Sequence, residues 1–384
     1  MTKDKIFFFL VLVLIILTVF AFDSPRYFMD RRSEFLIQNH GSENIIKDTT
    51  PTIKEPVYSK GVYVTYNTAG NHRIDEIIDL VKRTELNSIV IDIKDYTGRI
   101  GFQTGSEMMH EIGSEKVTVK DMKGLIDKLH SEGIYAIARI AVFEDNFLPE
   151  KKPELALKNP SGSLWRDNKG LSWLDPASQE VWDYNIALAK EAIKVGFDEI
   201  NLDYVRFASD GATGNIRYPF WDGKTSKAEV IKNFFEYFSS RIKPLGVRIS
   251  ADLFGLTLTS TNDLNIGQWL ESAAPYFDYL CPMVYPSHYP AGFWGYDNPA
   301  AHPYEIIYRA LAKGEERLAS VSAANPEQSV AKLRPWLQDF DMGAIYDGKM
   351  IELQKKAVYD AGADGWLLWN PKNYYTEAGL EKEE

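Results

Sequence analysis

The sequence predicts an α/β fold, in which a single (β/α)8 TIM barrel follows an N-terminal hydrophobic leader and a polar linker. From Gly61 onward, short β-branched runs alternate with segments of helical period, which is the pattern of βαβ units and a parallel sheet. Eight such units in about 320 residues match the size of a barrel with loop insertions. A doubly wound open sheet is the alternative, but no G-x-G-x-x-G follows any strand.

Lys3 and Lys5 lie near the N-terminus and precede an apolar run from Ile6 to Phe22 that only Thr18 interrupts. A charged start and an apolar core predict a secretory signal peptide or an uncleaved membrane anchor. The polar stretch after it predicts a tether rather than a fold of its own. The predicted organisation is a leader at 1–22, a flexible linker at 23–58 and the barrel at 59–384. We therefore expect a cell-surface or secreted protein that contacts the membrane through its N-terminal segment.

The barrel elements follow in order along the chain. The strands are predicted at 61–67, 88–95, 135–143, 199–207, 247–254, 279–285, 333–340 and 365–370. Helical spacing of apolar residues predicts intervening helices at 73–84, 119–131, 178–195, 227–242, 304–318 and 349–361.

Alternation within the strands predicts which side chains face the barrel axis. In the second strand, Ile89, Ile91 and Ile93 share one face, whereas Asp92 and Lys94 share the other. The fourth and fifth strands also become polar towards their carboxyl ends, where barrel enzymes carry their chemistry. A single aspartate there could be only a helix N-cap. Three strands that show the same change together indicate a site.

Asp203 and Asp252 are the predicted catalytic pair. They end the fourth and fifth strands, and neighbouring strands lie about 4.8 Å apart, so both carboxylates can face one substrate. Two carboxyl groups in unlike environments can hold different protonation states, as glycosidic-bond cleavage requires. We assign Asp203 as nucleophile or general base and Asp252 as general acid. A buried ion network without catalysis is the alternative for the same residues.

Aromatic and polar side chains accompany this pair at the predicted strand exits. Sugar rings suit such surroundings, because their C–H faces stack on aromatic rings while their hydroxyls form hydrogen bonds. The predicted substrate-binding residues are Asp92, Lys94, Arg139, Trp165, Trp173, Asn201, Arg206, Tyr285, His288, Trp336, Gln338, Trp369 and Asn370. Core packing is the simpler interpretation of any single tryptophan. Their number at strand exits favours a sugar-binding cleft.

The sequence lacks the features that would indicate several other classes of function. The net charge of −11 argues against a nucleic-acid partner. The single cysteine, Cys281, excludes an intramolecular disulfide framework and lies within an apolar strand, as a core residue would. The six histidines form no H-x-H or H-E-x-x-H pair, and the chain contains no G-x-S-x-G. We predict no cofactor and no histidine-built metal site.

Four motifs together resemble one known family. They are WLDPA at 173–177, LDYVRF at 202–207, PMVYPSHY at 282–289 and RPWLQDF at 334–340. The resemblance is to the bacterial "putative glycosyl hydrolase domain" family, TIM-barrel proteins of the wider glycoside hydrolase superfamily, and it runs from about residue 61 to 384. It implies a sugar-active barrel at a bacterial cell surface. The matching positions that it marks are Asp203, Arg206, Tyr285, His288, Trp336 and Gln338.

The resemblance does not assign Asp252, whose role rests on spacing alone. The fourth strand also lacks the DxxDxDxE run of chitinase-type barrels, which argues against their substrate-assisted mechanism. Three hypotheses therefore stay open. The first is a glycoside hydrolase acting on an extracellular or cell-wall polysaccharide, and the second is a non-catalytic, wall-associated carbohydrate-binding barrel. The third is a lyase or phosphohydrolase that holds a divalent cation on Asp92, Asp203 and Asp252.

Overall fold

Short runs of β-branched and aromatic residues pair side by side until they close on themselves. The computed structural model describes residues 58–382, so the predicted leader and nearly all of the predicted linker lie outside the described residues. The strands are β1 (Ser59–Val64), β2 (Ser88–Lys94), β3 (Ile100–Phe102), β4 (Glu115–Val119), β5 (Tyr135–Ala141), β6 (Glu199–Asp203), β7 (Arg248–Phe254), β8 (Tyr279–Met283), β9 (Lys332–Leu333), β10 (Trp336–Gln338) and β11 (Gly365–Trp369).

The closed ring runs β1-β2-β5-β6-β7-β8-β10-β11 and back to β1, with parallel pairing throughout. The predicted (β/α)8 barrel is confirmed. Its seventh strand comes in two pieces, because β9 and β10 both pair with β8 and Pro335 between them has no N–H for the ladder.

Helices lie between the barrel strands, as the apolar spacing predicts. They are α1 (Tyr66–Ala69), α2 (Arg73–Lys82), α3 (Glu107–Ile112), α4 (Met122–Ser131), α5 (Leu148–Lys151), α6 (Gln179–Val195), α7 (Lys227–Ile242), α8 (Leu270–Ala273), α9 (Pro303–Ala324) and α10 (Gly348–Ala361). The Asp347 side chain caps α10 by accepting from the Met350 N–H, and Gly362 ends that helix at φ +77°. Within residues 58–382, no helix combines the length and the apolar character needed to cross a membrane.

An excursion between β2 and β5 was not predicted. There β3 runs antiparallel to β2 and β4 runs parallel to β3, with α3 between them. The strand β4 begins with two charged residues, Glu115 and Lys116, and only Val119 at its end is buried. A three-residue strand and an exposed five-residue strand carry too little hydrophobic periodicity to be read from sequence.

The predicted alternation separates two cores. Ile89, Ile91 and Ile93 belong to the outer core, between the strands and the helices. Val90 belongs to the core inside the barrel, with Ile137 and the other members Tyr63, Tyr135, Tyr279, Cys281, Tyr285, Trp336 and Leu367.

Lys94 departs from this alternation. Asp92 aligns with Arg139 but Lys94 aligns with Ile140, so β2 is irregular between the two residues. Such a bulge re-aims the next side chain. The Lys94 ammonium donates to the Ala141 carbonyl at 2.6 Å and pairs with Asp145 at 2.9 Å, and both side chains are fully buried.

Candidate active site

Four neighbouring strands bring a set of charged residues together at the carboxyl ends of the barrel. Asp92 lies on β2, Arg139 on β5, Asp203 on β6 and Asp252 on β7. Each of the four is at most 5% exposed. We call these four residues the upper network.

Arg139 is the centre of the upper network. Its Nη1 donates to Asp92 Oδ1 at 2.7 Å and its Nε donates to Asp252 Oδ2 at 3.0 Å. Its Nη2 donates to Asp203 Oδ2. Nε and Nη2 form one edge of the planar guanidinium, so the two predicted catalytic carboxylates lie side by side along that edge.

The remaining carboxylate oxygens are also hydrogen-bonded. Asp252 Oδ1 accepts from Asn201 Nδ2 at 2.9 Å and from Trp336 Nε1 at 2.7 Å. Asp92 Oδ2 accepts from the Tyr63 hydroxyl at 2.5 Å. Seven donor groups therefore hold three carboxylates, once the backbone donor to Asp203 is included.

That backbone donor is the Tyr204 N–H, which reaches Asp203 Oδ1 at 2.6 Å. Tyr204 has φ +53°, in the left-handed region that bulky residues seldom adopt. Such strained positions are typical of functional sites. The turn after β6 thus presents both a side-chain carboxylate and a fixed amide donor at the barrel opening.

Burial changes the acidity of two of these aspartates. It raises the pKa of Asp92 to about 6, although Arg139 and the Tyr63 hydroxyl act to lower it. Burial, and then the charge of Asp203, raise the pKa of Asp252 to about 7 against the opposing effect of Arg139. Asp252 therefore holds its proton near neutral pH far more readily than an exposed aspartate.

An aromatic wall lines one side of the upper network. The Trp369 ring stacks on the Tyr63 ring at 3.8 Å and meets the Trp336 ring edge-on at 5.7 Å. The Arg139 guanidinium lies 4.9 Å from the Trp369 ring. Tyr285 packs in the same inner core, with its ring 5.3 Å from that of the exposed His288.

A second group gathers around Arg206. Its guanidinium lies 4.7 Å from the Trp173 ring and 4.7 Å from the Phe254 ring. Nη1 of Arg206 donates to the Phe207 carbonyl and to Ser209 Oγ. Burial lowers the pKa of Arg206, although nearby carboxylates act to raise it.

Four predicted binding residues lie outside both groups. Lys94 pairs with Asp145, and Trp165 packs in the outer core and donates to the Ala212 carbonyl at 3.3 Å. Gln338 accepts from Ser287 Oγ at 2.8 Å, and Asn370 donates to the Asp339 carbonyl. The last two contacts tie the loops at the strand exits together. The structure therefore brings the predicted catalytic pair together with Asp92, Arg139, Asn201, Trp336 and Trp369, but not with these four.

Tyr63 and Glu144 were not predicted as site residues. Tyr63 shares a face with Gly61 and Thr65 of the first strand in the period-2 alternation, but it carries no charge. Glu144 follows β5 directly and is only 5% exposed. An acidic residue just after a barrel strand is the signal that could have found it.

The metal-binding hypothesis fits this geometry poorly. The guanidinium of Arg139 occupies the place between Asp92, Asp203 and Asp252, where a divalent cation would have to lie. Within the described part of the chain, no group of three or more His, Cys, Asp or Glu residues is arranged to hold a metal ion.

One known family matches most of the chain. The family model described as "Putative glycosyl hydrolase domain" matches residues 61–375, and no curated protein matches the chain. A solved hypothetical protein from Ruminiclostridium thermocellum ATCC 27405 is 38% identical, with a TM-score of 0.46, over 50% of this chain and 96% of its own.

Two more distant solved structures share the fold. The PgaB (BpsB) glycoside hydrolase domain from Bordetella bronchiseptica has a TM-score of 0.56 at 12% identity, covering 82% of this chain and 94% of its own. TtGalA, an alpha-galactosidase from Thermus thermophilus in complex with stachyose, has a TM-score of 0.51 at 14% identity, covering 86% and 67%.

Proposed function

The chain belongs to the "Putative glycosyl hydrolase domain" family, and from that premise we propose that it cleaves a glycosidic bond of an extracellular or cell-wall polysaccharide. Family membership confirms the resemblance read from the motifs, and it supports a glycoside hydrolase together with the shared barrel fold. The observation that carries the proposed mechanism is the upper network, in which one guanidinium serves three buried carboxylates.

Asp203 is the proposed reacting carboxylate. It ends β6, and the Arg139 guanidinium and the Tyr204 N–H both donate to it. Donors of this kind stabilise a negative charge and fix its direction. Asp203 thus acts as nucleophile on the anomeric carbon or as general base on the attacking water.

Asp252 meets one condition for the predicted general acid, because burial and Asp203 raise its pKa to about 7. A second condition is access to the leaving oxygen. Asp252 is 0% exposed, and both its oxygens accept hydrogen bonds from Arg139, Asn201 and Trp336. Its proposed role is to bind the same Arg139 guanidinium as Asp203 and to hold that guanidinium in place. The proton donor should lie nearer the opening.

The proposed substrate class follows from two features. Trp369 and the other aromatic rings beside the upper network offer flat faces for sugar rings. The location of the substrate outside the cell follows from the apolar run at 6–22, which predicts export and lies outside the described residues.

The test is release of reducing ends by the purified full-length chain from a panel of polysaccharides that includes peptidoglycan. Asp203→Asn should lower the rate by orders of magnitude, because the attacking or activating charge is lost. Asp127→Asn, on the exposed face of α4, is the matched control and should keep the wild-type rate. An unchanged rate in Asp203→Asn contradicts the mechanism.

A non-catalytic carbohydrate-binding barrel is the second candidate, and the thorough hydrogen bonding of the upper network favours it. It predicts binding on a glycan array without turnover. Asp203→Asn should then leave the affinity nearly unchanged, whereas Trp369→Ala should abolish it. Turnover that disappears in Asp203→Asn decides for the hydrolase.

A further inference from the structure

Glu144 lies beside Asp203 at the opening of the barrel. After β5 ends, the Val142 N–H donates to the Asp203 carbonyl at 2.9 Å, so the chain continues alongside the end of β6. Glu144 then forms an antiparallel bridge with Trp173. Two backbone bonds flank this bridge: the Leu174 N–H donates to the Phe143 carbonyl at 2.9 Å, and the Asp145 N–H donates to the Ser172 carbonyl at 3.2 Å.

The neighbours of Glu144 are anchored on both sides. The Phe143 ring packs at 5.1 Å from the Phe234 ring of α7 in the outer core. Asp145 is fully buried, pairs with Lys94, and accepts from the Phe147 and Leu148 N–H groups. Glu144 therefore projects from a rigid backbone, as a residue that must hold a reacting group in position should.

The Glu144 carboxyl group differs from every carboxylate of the upper network. Among residues 58–382 it has no hydrogen-bond or salt-bridge partner, although the residue is only 5% exposed. Its oxygens are not among the fully enclosed atoms that lack a partner, so they keep a little contact with solvent. A carboxyl group that is largely buried, has no hydrogen-bond partner and keeps some access to the opening is well suited to exchange a proton with a bound molecule.

The charged groups around Glu144 favour its protonated form. Burial raises its pKa to about 8, and the nearby charges of Asp167 and Asp203 act in the same direction. Arg206 and Lys169 oppose them. Tyr204 is the other titratable group facing it, and burial keeps that phenol neutral by raising its pKa.

We propose that Glu144, rather than Asp252, is the general acid of this site; this inference rests on the proposed glycoside hydrolase function. Glu144 and Asp203 then form the unlike pair that glycosidic cleavage needs, one neutral and one charged. Asp252 becomes a positioning residue, which acts through Arg139 and Asp203.

In the first step, the bond between the anomeric carbon and the glycosidic oxygen breaks. The Glu144 proton moves to that oxygen, which leaves as an alcohol, and Glu144 becomes a carboxylate. Asp203 either bonds to the anomeric carbon or takes a proton from the attacking water. Water supplies the hydroxyl of the product and, by the end of the cycle, the proton that restores Glu144, so one water is consumed for each bond cleaved.

The experiment compares two substrates on the full-length chain. One is the polysaccharide from which the wild-type protein releases reducing ends, and the other is the 2,4-dinitrophenyl glycoside of the released sugar, whose leaving group departs without a proton. Glu144→Gln should slow polysaccharide cleavage about 10²–10⁴-fold, yet stay within about tenfold of the wild type on the dinitrophenyl glycoside. Asp203→Asn should lose both activities. Glu111→Gln, exposed on α3, is the control and should keep both.

The pH profile gives a second readout. Glu144 is active while protonated, so wild-type cleavage of the polysaccharide should fall as the pH rises through about 8. On the dinitrophenyl glycoside, whose leaving group needs no proton, neither the wild type nor Glu144→Gln should show that alkaline limb. Infrared difference spectra of wild type against Glu144→Gln at pH 6.5 should show the band of a protonated carboxyl group, which requires no turnover.

The outcomes separate the two proposals. A wild-type rate of polysaccharide cleavage in Glu144→Gln, equal losses on both substrates, or the absence of the protonated-carboxyl band overturns the role of Glu144 and leaves that of Asp203 standing. Full activity in Asp203→Asn, or no sugar release by the wild type, overturns the proposed function and this inference with it.

Discussion

Two ion networks lie inside this barrel, and they differ in charge balance. The lower network, near the amino ends of the strands, pairs Arg334 with Glu199, and both side chains are fully buried. Glu199 also accepts from Ser250 Oγ at 2.5 Å and from the Tyr135 hydroxyl at 3.3 Å. One cation thus meets one anion. In the upper network, one guanidinium meets three carboxylates.

The difference separates a balanced ion pair from the network that we propose as the functional site. In a buried ion pair with matched charges, the mutual attraction offsets much of the desolvation cost of the two ions. Surplus buried carboxylates destabilise it, and the raised pKa values of Asp92 and Asp252 report that imbalance. Natural proteins retain such a disadvantage chiefly at functional sites. The imbalance therefore supports the upper network as the proposed functional site.

The largest effect on stability should come from removing the shared cation. Arg139→Met should lower the free energy of unfolding by about 3–5 kcal/mol near neutral pH, because it leaves buried carboxylates without a partner. Arg139 holds down the pKa of both Asp92 and Asp252, so in the variant both groups take up protons at higher pH. The loss should therefore be greater at pH 8 than at pH 5. Urea unfolding at the two pH values measures it.

Arg241→Met is the control for this variant. Arg241 is exposed and stacks on the Tyr237 ring at the surface of α7, so its loss should leave the unfolding midpoint unchanged at both pH values. Arg139→Met with wild-type stability at pH 8 would show that the upper network carries no charge imbalance.

The lower network should behave as a balanced pair. Glu199→Gln and Arg334→Met should each destabilise the protein by about 3 kcal/mol, and the double variant should lose less than the sum of the two. The fraction of each variant that folds should keep the wild-type activity per molecule, because Glu199 and Arg334 are 0% exposed and lie near the amino ends of the strands. A double-mutant cycle with no coupling, or a loss of activity per folded molecule, would remove the distinction between the networks.

The pH dependence of stability tests the upper network in the wild type. The pKa values of Asp92 and Asp252 are raised to about 6 and about 7, so the folded chain binds more protons than the unfolded chain between about pH 4 and 7. The free energy of unfolding should therefore fall as the pH rises through this window. Each such carboxyl contributes a slope of about 1.4 kcal/mol per pH unit.

Asp252→Asn should remove one of these two contributions, whereas Asp127→Asn should keep the wild-type slope. Urea unfolding at half-unit steps of pH gives the slopes directly. If Asp252→Asn and the wild type share one slope, Asp252 does not titrate within the window.

Much of this architecture could be predicted from sequence because it depends on periodicity. All eight barrel strands overlap their predicted runs, and the alternation of Ile89, Val90 and Ile91 separates the outer from the inner core. The meeting of Asp92, Asp203 and Asp252 around Arg139 follows from the same periodicity, since the three aspartates share the axis-facing phase. The excursion that contains β3 and β4 was missed because short exposed strands carry no period.

The centre of the site depends on geometry that periodicity does not carry. In the sequence alternation Lys94 lies on the same strand face as Asp92, but the bulge in β2 turns its side chain towards Asp145. Arg139 was predicted as one sugar ligand among many. Its central place depends on a long side chain that reaches three other strands, and no local pattern records that reach. The role proposed for Glu144 likewise depends on its having no hydrogen-bond or salt-bridge partner among the described residues. A sequence does not show which side chains remain unpaired.

The smallest effect should come from the edge of the upper network. Tyr63→Phe removes the hydroxyl that donates to Asp92 at 2.5 Å and keeps the ring stacked on Trp369. The pKa of Asp92 is raised to about 6, so this bond is made to a neutral carboxyl at pH 5 and to a carboxylate at pH 8. The loss in the free energy of unfolding should be about 1 kcal/mol at pH 5 and about 2 kcal/mol at pH 8.

Tyr135→Phe, in the lower network, should show a loss that is independent of pH over this range, because its partner Glu199 is already matched by Arg334. Equal pH dependence in the two variants would mean that charge balance does not distinguish the two ends of the barrel.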